Sequence, residues 1–108
     1  MTTPWVTTLR SRDGIISIGD PSRNRITIRV QADSSWDSIC VEVPPEESVL
    51  AVKLRAMETF WPAADYHEDF AMKLGGVEVL DEEVSLSEAG VRDGSIFLIM
   101  HRRRRAIL

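Results

Sequence analysis

Residues 86–100 have the sequence LSEAGVRDGSIFLIM, which joins a turn to a strand near the end of the chain. Residues 92–94 (RDG) are a turn signal, because aspartate and glycine accept the backbone angles of tight turns. The next five residues, 96–100 (IFLIM), are all apolar. A continuous apolar run of strand length is typical of a central strand, so this stretch predicts the central strand of a sheet.

Two upstream strands are predicted by a strict alternation of apolar and polar residues. Residues 26–31 (ITIRVQ) and 39–43 (ICVEV) both follow this period of two, which is typical of half-buried strands. Residues 32–35 (ADSS), which supply turn residues, lie between them, so the pair is expected to form a β-hairpin. Pro44 and Pro45 end the second strand, because proline cannot donate a hydrogen bond to a neighbouring strand.

A helix is predicted from Val49 to Phe60 or Trp61, with Ser48 as its N-cap and Pro62 beyond its end. Its apolar residues form two neighbouring stripes at helical spacing. The first stripe consists of Val49, Val52, Ala56 and Phe60, and the second of Leu50, Leu54, Met57 and Trp61. Together they make an apolar arc wider than that of an ordinary surface helix.

The remaining elements are shorter. Residues 70–74 predict a third strand, Gly75-Gly76 a turn and residues 77–80 a short fourth strand. We therefore divide the chain into an N-terminal extension (1–25) that adds at most one strand, a regular domain (26–102) and a basic tail (103–108).

In this order of elements the chain resembles the ubiquitin-like, or β-grasp, family. Residues 43–49 (VPPEESV) are similar to the family's junction of strand and helix, and residues 86–99 to the segment that leads into its last strand. The resemblance covers residues 26 to 105. It implies an α+β fold of ββαββ order, in which one main helix packs across a mixed sheet of about four to five strands. The first and last strands would be parallel and adjacent at the centre.

The resemblance also implies a buried ion pair and an inward-facing set of side chains. Lys53 lies inside the apolar arc of the helix, where an unpaired charge is unfavourable. Ubiquitin pairs a buried helix lysine with an aspartate that follows its third and fourth strands, so Asp81 is the expected partner. The implied inward set is Ile26, Ile28, Val30, Ile39, Val41, Val43, Val49, Val52, Ala56, Met72, Leu74, Leu86, Val91, Phe97 and Ile99.

Composition restricts the class of protein. A length of 108 residues, 44% of them hydrophobic, suits one globular domain, and no apolar run is long enough to span a membrane. The first residues lack the pattern of a secretory signal. The single cysteine, Cys40, excludes an internal disulfide and a thiolate metal cluster. We therefore expect a cytoplasmic or nuclear domain.

The charges are unevenly distributed. Residues 33–93 hold fifteen acids against four basic residues, a net charge of −11, whereas residues 1–32 carry +3. Residues 94–108 add +4 through Arg102, Arg103, Arg104 and Arg105. An acidic body repels phosphate backbones, so nucleic acid is a disfavoured partner. The tail is interpreted as a solvated segment, with binding of RNA, anionic lipid or an import receptor as the alternative.

The resemblance implies a binding surface on the face of the sheet opposite the helix. The positions matching ubiquitin's apolar patch are Trp36, Lys73, Leu98 and Met100. Lys73 departs from the family, which has an aliphatic residue there. The alternative is that residues 1–25 cover Leu98 and Met100.

The second stripe of the helix has two interpretations. Leu50, Leu54, Met57 and Trp61 either belong to the core, covered by apolar residues of the N-terminal extension, or form a second partner surface with Trp61 as an anchor.

No catalytic site, cofactor or metal site is predicted. Nothing in the sequence places His67 or His101 beside Cys40 as a base, and the histidines lack metal-ligand spacing. We therefore predict a noncovalent protein-interaction module, an adaptor or the N-terminal domain of a larger protein, that is monomeric. The alternatives are a covalent modifier precursor, if the native chain continues to a Gly-Gly, and a self-associating scaffold.

Overall fold

The computed structural model describes residues 15–19, 24–33 and 37–102. Trp36, a predicted partner-binding residue, lies outside these ranges. So do Arg103, Arg104 and Arg105 of the tail, which was interpreted as solvated. The described strands are β1 (Ile16–Ser17), β2 (Ile26–Ala32), β3 (Ser38–Val43), β4 (Phe70–Leu74), β5 (Val77–Glu78) and β6 (Ile96–His101). Helix α1 spans Val49–Phe60, and a 3₁₀-helix spans His67–Asp69.

The strands form one mixed sheet in the order β1-β3-β2-β6-β4-β5. β2 pairs antiparallel with β3 and parallel with β6, where Val30 lies opposite Phe97. The predicted central pair of first and last regular strands is therefore confirmed, as is the α+β class. The described sheet has six strands because β1 adds a parallel edge strand beside β3.

The core lies between α1 and the inward face of the sheet. Of the predicted inward set, only Ile26 and Leu74 are half-buried instead of buried, and both pack against the core. The core also includes three hydrophobic residues outside that set, Ala32, Met57 and Phe70, and Ala71 is buried on the other face of the sheet, opposite Met100. The two central strands supply its middle, because Val30, Phe97 and Ile99 have no exposed surface.

The ends of α1 are fixed by local chemistry. The Ser48 hydroxyl oxygen accepts a hydrogen bond of 3.0 Å from the Ala51 N–H, which satisfies one of the unpaired donors of the first turn. At the other end the Trp61 N–H donates to the Met57 carbonyl at 2.7 Å, and Pro62 follows. The predicted N-cap and both helix limits are confirmed.

Ser48→Ala is expected to lower the free energy of unfolding by about 1 kcal/mol, because the Ala51 N–H loses its acceptor. Urea unfolding followed by circular dichroism measures this loss. The matched control is Ser87→Ala, at an exposed position, which should change stability by less than about 0.5 kcal/mol. Equal losses in the two variants would contradict a capping role.

Strand β1 is held in place by contacts that the sequence did not predict. The Arg25 guanidinium donates to the carbonyls of Ile18 and Glu42 at 3.0 and 2.8 Å, and the Ile18 N–H donates to the same Glu42 carbonyl. Gly19 has a φ of 80°, and a Cβ there would lie 2.9 Å from Pro44 Cδ. Glycine is therefore needed at this position for both its backbone angle and its small size.

Within the part of the chain that the structure describes, no helix is long and apolar enough to cross a membrane.

Candidate interaction surfaces

The face of the sheet opposite α1 carries an apolar strip along β6. Ile96, Leu98 and Met100 point to this face, while the intervening Phe97 and Ile99 are buried in the core. Ile96 is 52% exposed, and Leu98 and Met100 are half-buried. We call these three outward side chains the open-face strip. Because β6 is hydrogen-bonded on both sides, the strip sits on a rigid support.

The neighbouring strand brings a positive charge into this strip. Lys73 on β4 lies directly opposite Leu98, and Ala71 lies opposite Met100. The structure therefore brings together three of the four predicted binding residues, Lys73, Leu98 and Met100. The side chain of Lys73 is half-buried in this position.

A depression of about 350 Å³ opens at one end of the strip. The side chains of Lys73, Glu78 and Arg102 surround a floor that includes Ala71 and Met100. The Arg102 Nη2 atom lies 2.7 Å from Glu78 Oε2, and its Nε donates to the Glu68 carbonyl at 3.1 Å. Arg102, predicted as the start of a solvated tail, is therefore a wall of this depression.

The buried ion pair is formed with a different partner from the predicted one. Lys53 is 1% exposed, and its Nζ donates to both carboxylate oxygens of Glu82 at 2.9 Å. Asp81 is wrong as the partner: it is exposed and accepts a hydrogen bond from the Glu83 N–H. The Leu50 N–H donates to the Glu82 carbonyl at 2.7 Å, which brings residue 82 against α1 and leaves its neighbour outside.

Solved structures with the same arrangement identify the fold. No protein-family model matches the chain, and no curated protein matches its sequence. Ubiquitin from Caldiarchaeum subterraneum superposes with a TM-score of 0.64 at 18% identity, covering 75% of this chain and 98% of that one. The chain has the ubiquitin-like β-grasp fold.

Two ubiquitin-like domains superpose similarly. One, from an Arabidopsis thaliana protein, has a TM-score of 0.63 at 20% identity and covers 83% of this chain and 92% of that one. The other, from Plasmodium falciparum Dsk2, has a TM-score of 0.59 at 20% identity and covers 72% of this chain and 99% of that one. These three structures therefore share the ubiquitin-like fold with this chain at 18–20% sequence identity, and the similarity concerns the fold alone.

The second stripe of α1 does not form one exposed surface in this ubiquitin-like fold. Met57 is only 6% exposed, and the Trp61 ring packs 4.6 Å from the ring of Phe70. Leu54 is the exposed member, at 44%, and it lines a depression shared with Ile18 of the N-terminal extension. The stripe is divided because the chain turns back after Pro62 and places Phe70 beneath Trp61.

The cysteine and histidines lie in separate environments. Cys40 lies opposite Arg29 on β2, on the open face. The His101 ring packs edge-on against Phe70, and His67 Nε2 lies 3.6 Å from a Glu68 carboxylate oxygen. No group of three or more histidine, cysteine, aspartate or glutamate side chains suited to a metal ion occurs among residues 15–19, 24–33 and 37–102.

Proposed function

We propose that this chain is a noncovalent protein-interaction module whose partner binds the open face of the sheet. The observation that carries the proposal is the open-face strip: Ile96, Leu98 and Met100 stand in a row and remain partly accessible on a central strand. Partly exposed apolar side chains on a rigid element are typical of surfaces that bind proteins. The chain superposes on 92% and 99% of the length of ubiquitin-like domains of two other proteins. This supports a modular role, as an adaptor or as one domain of a larger protein.

The charge of Lys73 favours a particular partner chemistry. It faces Leu98 across the β4–β6 pairing, so a partner that covers the strip also covers this ammonium group. A buried charge without a counter-charge is costly, and a carboxylate from the partner removes that cost. The proposed partner surface is therefore apolar with an acidic residue opposite Lys73.

The internal Gly-Gly sequence serves the fold. Gly75 and Gly76 have φ angles of 61° and 86°, and they form the turn that joins β4 to β5. Such positive angles favour glycine in a two-residue hairpin turn. The pair therefore gives no support to the covalent-modifier alternative.

Leu98→Asp and Met100→Asp are each expected to reduce capture of the specific protein partners by at least about tenfold. An aspartate in the strip must lose its hydration when the partner covers it. The measurement is affinity capture from cell extract on the immobilised full chain, quantified by mass spectrometry. Thermal unfolding first verifies that both variants are folded.

Leu54→Asp is the matched control, because it makes the same change at an exposed leucine on α1. It should retain the partners that the two open-face variants lose. Loss in Leu54→Asp with retention in the other two would move the interaction to the helix side. Retention in all three variants would overturn the proposal.

A further inference from the structure

A second apolar depression lies between the β4–β5 hairpin and the connector of residues 81–91. It has a volume of about 250 Å³, and aliphatic side chains form most of its wall. We call it the hairpin groove; its aliphatic lining consists of Leu74, Val77, Val79, Val84 and Ala89. None of these residues belongs to the open-face strip, and the groove shares a single lining residue, Glu78, with the depression at the end of that strip.

Exposed aliphatic side chains occur in the hairpin groove and beside it. Val77, which lines the groove, is 69% exposed, and Leu80, which lies between the lining residues Val79 and Asp81 in the chain, is 83% exposed. They are the most exposed large aliphatic residues in the part of the chain that the structure describes. A ligand that fills the groove therefore removes accessible apolar surface from water, which favours binding.

The electrostatic character of the groove is negative. Residues 74–91 contain five acidic residues and no lysine, arginine or histidine. Lys53 and Arg102, from other segments, pair with Glu82 and Glu78. The other three acids, Asp81, Glu83 and Glu88, are exposed.

Two of these exposed carboxylates are oriented by the backbone. Asp81 accepts a hydrogen bond from the Glu83 N–H, and Glu88 accepts one from the Ser85 N–H. Hydrogen bonds from neutral amides do not cancel the charge of a carboxylate, so the segment presents a negative field to its surroundings.

We propose that the hairpin groove binds a basic segment of a partner protein, in which an aliphatic side chain is flanked by lysine or arginine. The aliphatic side chain packs against the apolar lining, and the flanking cations face Asp81, which lines the groove, and the negative field of the segment that carries it. Nucleic acids and anionic membranes are disfavoured, because their phosphates are repelled by the same carboxylates. A partner in the groove leaves Leu98 and Met100 accessible, so one domain can hold two proteins at once.

The test is a titration of the ¹⁵N-labelled full chain, followed by amide chemical shifts, with three capped peptides. The first probe is Lys-Lys-Leu-Lys-Lys; the second has serine in place of the leucine, and the third has glutamate in place of every lysine. We expect the first probe, at about 1 mM, to shift the amides of Val77, Val79 and Val84. The serine and glutamate probes should leave these amides unchanged at the same concentration, because each lacks one of the two required features.

Val77→Lys and Asp81→Lys should each weaken binding of the first probe by at least about fivefold, since one adds a like charge and the other reverses a charge that lines the groove. Glu58→Lys is the matched control: it makes the same charge reversal on α1, at an exposed residue that does not line the groove. It should change the affinity by less than about twofold.

Several results would overturn the proposal. They are the absence of shifts at the groove, shifts confined to the open-face strip, and equal binding of the serine probe. Binding that appears only after Arg103, Arg104 and Arg105 are replaced by serine would assign the groove to the chain's own tail. A dimer detected by sedimentation and abolished by Val77→Lys would assign it to a second copy.

Discussion

Glu82→Gln is expected to lower the free energy of unfolding by about 3–5 kcal/mol. Lys53 is 1% exposed, and both of its 2.9 Å hydrogen bonds end on the carboxylate of Glu82. Neutralising that carboxylate leaves the ammonium group buried without a counter-charge, which costs far more than an exposed ion pair contributes. Urea unfolding measures the loss.

Two further variants separate the charge effect from packing. The double variant Lys53→Met with Glu82→Gln removes the buried charge as well, so it should recover most of the lost stability. Asp81→Asn makes the same type of change one residue earlier, at an exposed side chain, and should cost less than about 0.5 kcal/mol. If Glu82→Gln and Asp81→Asn cost the same, the ion pair contributes little.

Phe97→Ala is expected to lower the free energy of unfolding by about 3–5 kcal/mol, through lost apolar burial and the cavity left behind. Phe97 is fully buried and belongs to β6, between β2 and β4. Because domains of this size have total stabilities of about 5–15 kcal/mol, the variant should unfold at a much lower urea concentration.

Ile96→Ala is the matched control for Phe97→Ala. It truncates the preceding residue of the same strand, which is 52% exposed on the open face, and should cost less than about 1 kcal/mol. The slope of the urea transition should be the same in both variants if unfolding exposes the same amount of surface in each. A comparable loss at Ile96 would contradict the assignment of the two faces.

The fold was predictable because its signals are local. Alternation in residues 26–31 and 39–43 predicts strands with one buried face, and the structure pairs them antiparallel. Ser48 and Pro62 limit the helix through hydrogen bonding and steric exclusion within a few residues. These effects act over one turn or one strand, so a sequence pattern is sufficient to reveal them.

The sequence predicts that Lys53 pairs with a carboxylate, but it does not determine which residue supplies that carboxylate. A lysine inside an apolar arc requires a carboxylate, but residues 81–83 are all acidic, so the pattern allows several partners. The backbone hydrogen bond from Leu50 to Glu82 decides between them, and it depends on the path of an irregular connector. Irregular segments have no period from which the direction of a side chain follows.

The candidate site was predictable in part for a similar reason. Leu98 and Met100 are two residues apart on a strand, so their shared face follows from the period. The contact of Arg102 with Glu78 joins residues on β5 and beyond β6, and no spacing along the chain indicates it. The position of Trp36 in the site stays a prediction.

The parallel pairing of β2 with β6 has a consequence for how the protein is made. During translation β2 leaves the ribosome early, and β6 leaves it only after most of the domain has emerged. Val30 of β2 and Phe97 of β6 nevertheless lie opposite each other in the core. A nascent chain that ends before Ile96 contains the residues of the β2–β3 hairpin and of α1. It lacks β6, the strand that joins β2 to β4 in the sheet. Cooperative folding must therefore wait until synthesis has passed His101, and until then the apolar face of the hairpin is available to chaperones.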